Sequence, residues 1–172
     1  MNILILSAST GGGHMRASKA IEGYMTQKNK DINVKIVDSL LYISPILNKT
    51  VTSGYVYLAT KTPRLYGKLY DLTNKDHKLA NFVTRLNNIC ANKLLPLIDD
   101  FKPDVIITTH PFPTEMVSRL KSKREINIPL ICIMTDYAPH KAWINDKVDA
   151  YIVANDDMVA KMASEGVRSE EH

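Results

Sequence analysis

The chain has 172 residues, enough for one domain with a sizeable core and little room for a second. Apolar residues make up 45% and charged residues 23%, the ordinary balance of a soluble globular protein, and no run approaches the ~20 apolar residues of a membrane-spanning helix. The net charge is only +4, so the distribution of charge says more about partners than its sum.

The opening MNILILSAST carries neither a basic leader nor the small-residue cleavage pattern of a secretory signal. Residues 2–7 form instead a short aliphatic run ending at small residues, the pattern of a buried parallel strand. A glycine turn follows, and residues 16–27 then carry Ala17, Ala20, Ile21, Tyr24 and Met25 at helical spacing. Residues 32–39 alternate and form a second strand, completing a βαβ unit. From about 40 to 101 no strand pattern appears, only helical pieces broken by Pro45, Gly54, Pro63 and Gly67. The longest piece, 77–98, places Leu79, Phe82, Val83, Leu86, Ile89, Cys90 and Leu94 on one side.

The alternation then resumes, with strands at 104–109, 129–135 and 149–155 and helices at 114–123 and 156–166. The expected fold is α/β: a Rossmann-like, doubly wound parallel sheet with a helical insertion after its second strand. Residues 1–166 form the domain, and 167–172 are a tail where a further strand would be expected, as in one domain of a longer protein. Cys90 and Cys132 lie in apolar surroundings without CxxC spacing and read as free buried thiols of a reducing compartment.

Ligands of open parallel sheets bind beyond the carboxyl ends of the strands, and four polar segments fall there. The first is Ser9-Thr10-Gly11-Gly12-Gly13-His14. Glycines let the backbone take positive φ and let a ligand approach the amides, while the following helix offers unpaired N–H groups to a phosphate or oxyanion. The segment is neither a P-loop nor a clean GxGxxG. The helix dipole disfavours imidazolium at His14, which suits a general base, although a histidine there can also simply cap or pack on its helix. His110, before Pro111, is either a site residue or a seal on the strand end. Asp136 either orients a histidine, binds a hydroxyl, or caps a turn. His140 and Trp143, the lone tryptophan, form a ligand wall, a membrane contact, or local packing. The histidine spacing matches no local zinc motif, and no metal is expected.

Residues 49–93 carry eight basic and two acidic side chains, a net +6 that leaves about −2 for the remainder. Tyr55, Tyr57, Tyr66 and Tyr70 are interleaved with Lys61, Arg64 and Lys68. That mixture suits an anionic lipid surface, single-stranded nucleic acid, or a solvated basic face.

Taken together, STGGGHMRAS, HPFP, TDY with HKAW, and DAYIVAN resemble the N-terminal domain of the monogalactosyldiacylglycerol synthase family. That family includes bacterial processive diacylglycerol glucosyltransferases and is more distantly similar to lipid-linked murein glycosyltransferases. The resemblance runs over about residues 2–166 and implies a GT-B enzyme, two Rossmann-like domains with the active site between them. It implies that this domain takes the diacylglycerol acceptor, while a C-terminal domain missing from the chain grips UDP-glucose or UDP-galactose. The chemistry implied is an inverting displacement with the UDP-sugar as substrate and no further cofactor. His14 falls on the family's base, and Gly11, Gly12 and Gly13 on its donor-phosphate loop. Trp143 falls on a tryptophan facing the acceptor or the membrane, with His110, Asp136 and His140 on the acceptor side. Tyr57, Lys61, Arg64, Tyr66 and Lys68 would face an anionic membrane from the cytoplasm, on the inner face, with no nucleic acid involved. Without the donor half, this segment alone is expected to be inactive. The alternative is a non-catalytic Rossmann-like module that binds a nucleotide or other phosphate ligand, and a nucleic-acid binder is a more distant one.

Overall fold

A run such as Ile3-Leu4-Ile5-Leu6 has no polar side, so it is stable only where both faces of its strand are covered. In the computed structural model, which describes residues 1–9, 12–44, 87–136 and 141–168, these side chains are at most 1% exposed. They lie in β1 (Asn2–Ser7), flanked by β2 (Asn33–Asp38) and β3 (Val105–Thr108). β4 (Leu130–Ile133) and β5 (Ala150–Ile152) complete a five-stranded, all-parallel sheet of order β2-β1-β3-β4-β5.

Period-two alternation divides the core between the two faces. Ile3, Ile5 and Ile107 lie on one face, under Ile21 and Met25 of α1 (Gly13–Lys28). Leu4, Leu6, Ile106 and Leu130 lie on the other, against Leu97 and Ile98 of α3 (Leu95–Phe101) and Met116, Val117 and Leu120 of α4 (Pro111–Ser122). A second cluster joins Cys132 and Met134 to Trp143, Met158 and Met162, the last two from α5 (Asp156–Ser164). Both cysteines are free and buried. The order makes β1 and β3 neighbours whose following segments run off in opposite directions, one to β2 and one to β4. In open parallel sheets, ligands bind at the carboxyl ends of strands beside such a switch point.

The five strands fall where the alternation places them, and the differences lie at helix ends. α1 begins at Gly13, ahead of the expected 16, because Gly12 adopts φ 77° and turns the chain directly into the helix. α4 begins at Pro111, ahead of 114, since prolines in a first turn lack only N–H groups that the helix does not use. The single helix expected over 77–98 is broken: 87–92 is helical, then the ladder tightens to an i−3 bond from Leu94 N–H to Ala91 O, and α3 starts afresh. Pro96, with no N–H for a continuing ladder, sits in the first turn of α3. Ile89 is 58% exposed instead of joining the core, because the buried face is set by Cys90, Ala91 and Leu94. Between β2 and β3 the described residues are helical, beginning with the short α2 (Ser39–Ile43). Residues 45–86 lie outside the described residues, and with them Tyr57, Lys61, Arg64, Tyr66 and Lys68.

Candidate active site

The carboxyl edge of β1 and β3 is built by continuing the strand alternation past the aliphatic core. Ser7 follows Ile3 and Ile5 onto the α1 face, and Thr109 follows Val105 and Ile107. Where isoleucines pack against the middle of α1, hydroxyls meet its first turns. Thr109 Oγ1 donates to Ser7 Oγ at 2.8 Å and lies 2.9 Å from Ser18 Oγ, which donates to the main-chain oxygen of His14 at 3.0 Å. Ser7, Ser18 and Thr109 are fully buried, so these bonds satisfy groups that would otherwise be costly to hide. They tie the ends of β1 and β3 to the start of α1. Asp38, at the end of β2, fixes the other side of the turn. Its carboxylate accepts the N–H of Ser9 and the N–H of Leu41, each at 3.1 Å.

His14 projects from this anchored turn. Its Nδ1 lies 2.8 Å from the main-chain oxygen of Thr109 and 2.6 Å from Thr135 Oγ1, and Thr135 Oγ1 donates to the same Thr109 oxygen at 3.3 Å. A carbonyl oxygen only accepts, so the partners assign the ring proton to Nδ1 and leave the lone pair on Nε2.

His110 packs edge-on against His14, ring centroids 4.5 Å apart and planes at 78°. It caps α4: its Nδ1 accepts the N–H of Phe112 at 3.1 Å, which leaves the proton of the neutral ring on Nε2. Burial, with repulsion from a charged His14 as the lesser cause, pushes His110 down from 6.5 to about 3, so it is neutral at ordinary pH. The two adjacent rings thus carry opposite tautomers, His110 with a donor at Nε2 and His14 with a base there.

Trp143 closes the back of the site, its ring 6.2 Å from that of His14. It is fully buried against Cys132, Met134, Met158 and Met162, and its indole N–H donates to Asp136 Oδ2 at 2.8 Å. Tyr151 buttresses it from below, donating to the main-chain oxygen of Trp143 at 3.1 Å, and burial is the main cause that pushes its hydroxyl up to about 12.

The structure therefore brings His14, His110, Asp136 and Trp143 into one place. Trp143 is fully buried, its indole packed among two methionines of α5 and two residues of β4 and its extension. Asp136 holds that indole, and the side chain on His14 Nδ1 is Thr135. His110 is a helix cap lying beside the histidine. Of the glycines, Gly12 has positive φ, Gly13 is already helical, and Gly11 and His140 lie outside the described residues. Sequence reasoning passed over Ser18, Thr109 and Thr135. The signal was present: Thr109 and Thr135 extend the alternation of Val105/Ile107 and Ile131/Ile133 onto the face that α1 covers. Among the described residues no cluster of three or more His, Cys, Asp or Glu side chains could hold a metal ion, and no helix is long and apolar enough to cross a membrane.

A doubly wound parallel sheet with a histidine set at its switch point defines a Rossmann-like α/β domain. The chain belongs to the monogalactosyldiacylglycerol (MGDG) synthase family, whose model matches residues 14–172. It is 34% identical over 173 residues to a processive diacylglycerol beta-glucosyltransferase of Bacillus mycoides and 35% identical over 174 residues to the protein of that name from Bacillus thuringiensis. Each comparison covers 98% of this chain but 42% of the relative, so the chain spans less than half the length of these proteins.

Proposed function

We propose that this chain is the N-terminal, acceptor-side domain of a diacylglycerol glycosyltransferase that uses a UDP-sugar. The observation that carries the reading is the Nδ1 anchorage of His14, which leaves Nε2 as the proton acceptor of a ring held at the carboxyl edge of the sheet. The relatives' names supply the acceptor and point to glucose over galactose as the sugar.

In this reading Nε2 of His14 takes the proton of the diacylglycerol hydroxyl as its oxygen attacks the anomeric carbon of the sugar. The bond from that carbon to the diphosphate breaks with inversion, and the electron pair leaves on UDP. Base catalysis of this kind is worth typically 10²–10⁴-fold. The turn through Gly11, Gly12 and Gly13 and the uncapped N–H groups of α1 would lie beside the departing diphosphate. His110, with its donor at Nε2, and Asp136 would line the acceptor side, with His140 in the loop between Asp136 and Trp143. The basic, tyrosine-rich segment with Tyr57, Lys61, Arg64, Tyr66 and Lys68 would rest on anionic lipid at the cytoplasmic face of the membrane. Neither a metal nor a further cofactor enters this scheme.

The test is product formation by the full-length protein from diacylglycerol and labelled UDP-glucose or UDP-galactose. Glucosyl-diacylglycerol as the dominant product supports the reading. Tight nucleotide binding by this segment, with no transfer from either donor, would replace it with a non-catalytic binding module.

A further inference from the structure

The ring of His14 is gripped at Nδ1 by two oxygens from different strands, and only one of them belongs to the main chain. Thr109 O, just after β3, is 2.8 Å away; Thr135 Oγ1, just after β4, reaches across from the neighbouring strand to 2.6 Å. The Thr135 hydroxyl is itself directed, because its proton points to Thr109 O at 3.3 Å and its lone pairs are left for the ring. A ring flipped to the other tautomer would set the Nδ1 lone pair against the carbonyl, so the arrangement disfavours it.

We propose that Thr135 is a positioning residue for His14: its hydroxyl, oriented by the Thr109 carbonyl, shares the Nδ1 proton and holds the ring, whose tautomer the carbonyl sets, in the one orientation that leaves Nε2 open. The proposal rests on the base role given to His14 above. It assigns to a neutral hydroxyl and a carbonyl the task that a carboxylate performs in many catalytic histidine pairs. Two acceptors from two strands fix the ring about both of its rotatable bonds, where the carbonyl alone would leave it free to swing. They do so without placing a negative charge beside a group that must release its proton again after each turnover.

The experiment labels the histidines of the 172-residue chain with ¹⁵N and reads ring tautomers from long-range ¹H–¹⁵N spectra, with His14→Gln identifying the His14 signals. The wild-type ring should show a protonated Nδ1 and a bare Nε2, and Thr135→Ser should preserve this. Thr135→Val, nearly isosteric, should keep the tautomer that the Thr109 carbonyl sets but loosen the ring and broaden the Nδ1 proton while the backbone spectrum is kept; Thr135→Ala is the second variant should valine perturb folding. In the full-length protein Thr135→Val should lower kcat about tenfold, the worth of one neutral hydrogen bond, with KM for the acceptor unchanged and recovery in Thr135→Ser. An Nδ1 proton as sharp as in the wild type in both Thr135→Val and Thr135→Ala, with undiminished kcat, would overturn the proposal. The spectra judge Thr135 whatever the protein transfers: failure of sugar transfer in the wild type would sink the functional reading and leave the tautomer result standing.

Discussion

Replacing Trp143 separates a packing role from a membrane-facing one, because only the first predicts a large loss of stability. Trp143 is fully buried, enclosed by Cys132, Met134, Met158 and Met162, and its indole N–H is bound to Asp136. Trp143→Ala removes this whole side chain from the core and should cost about 3–5 kcal/mol through lost transfer free energy and the cavity left behind. For a domain of this size each kcal/mol lowers Tm by about 2–4 °C, so a drop on the order of 10 °C is expected. Trp143→Phe keeps most of the apolar volume and loses the bond to Asp136. That carboxylate is exposed and can turn to water, so the cost should stay near 1 kcal/mol from the hydrogen bond plus a modest packing loss. Thermal unfolding followed by circular dichroism reads both variants. As the chain's one tryptophan, Trp143 also reports on itself: its emission should be blue-shifted, resist acrylamide, and stay unchanged when anionic vesicles are added. A Trp143→Ala protein within 0.5 kcal/mol of wild type (about the scatter of surface substitutions), or emission quenched by brominated lipid, would refute the packing argument.

His110→Asn should flatten the acid sensitivity of the fold while keeping the α4 cap, since asparagine caps as well as any residue. With His110 held at about 3 when folded and 6.5 when free, the unfolded chain binds the extra proton. Full stability therefore holds above pH 6.5 and is lost by about 1.4 kcal/mol per pH unit as pH falls from there towards 3. Urea unfolding at pH 7 and pH 5 should show this slope in wild type and its reduction in the variant; equal slopes would contradict the assignment. Gly12→Ala should destabilise by about 1 kcal/mol, because φ 77° strains any residue with a Cβ, whereas Gly13→Ala should be neutral or slightly stabilising; neither Cβ would meet an atom within 4 Å. Reversing Lys61, Arg64 and Lys68 to glutamate should weaken sedimentation with anionic vesicles, as should high salt, and binding indifferent to both would return the segment to a solvated surface.

The sheet was legible because its strands are short aliphatic or alternating runs that end at polar residues, each about as long as a strand and far shorter than a helix. The co-location of His14, His110 and the segment after β4 followed from the same pattern, since parallel strands deliver all their loops to one edge. Helix starts were less legible. Gly12 and the prolines of α4 move the boundary by a turn through backbone geometry that periodicity does not register. The burial of Trp143 was not legible, because a tryptophan in a polar loop resembles a surface residue until its partners, Met158 and Met162, are folded over it from further along the chain. Thr135 was passed over in favour of Asp136, one residue on. In an extended segment one residue is the difference between the face that meets His14 and the face that meets Trp143.

The most direct test of the account is the rate of sugar transfer to diacylglycerol by the full-length protein carrying His14→Ala, measured beside wild type with thermal unfolding of both. The account predicts a loss of about 10²–10⁴-fold in kcat with the fold intact, as removal of a general base gives. A correctly folded His14→Ala protein that transfers sugar at close to the wild-type rate would contradict it.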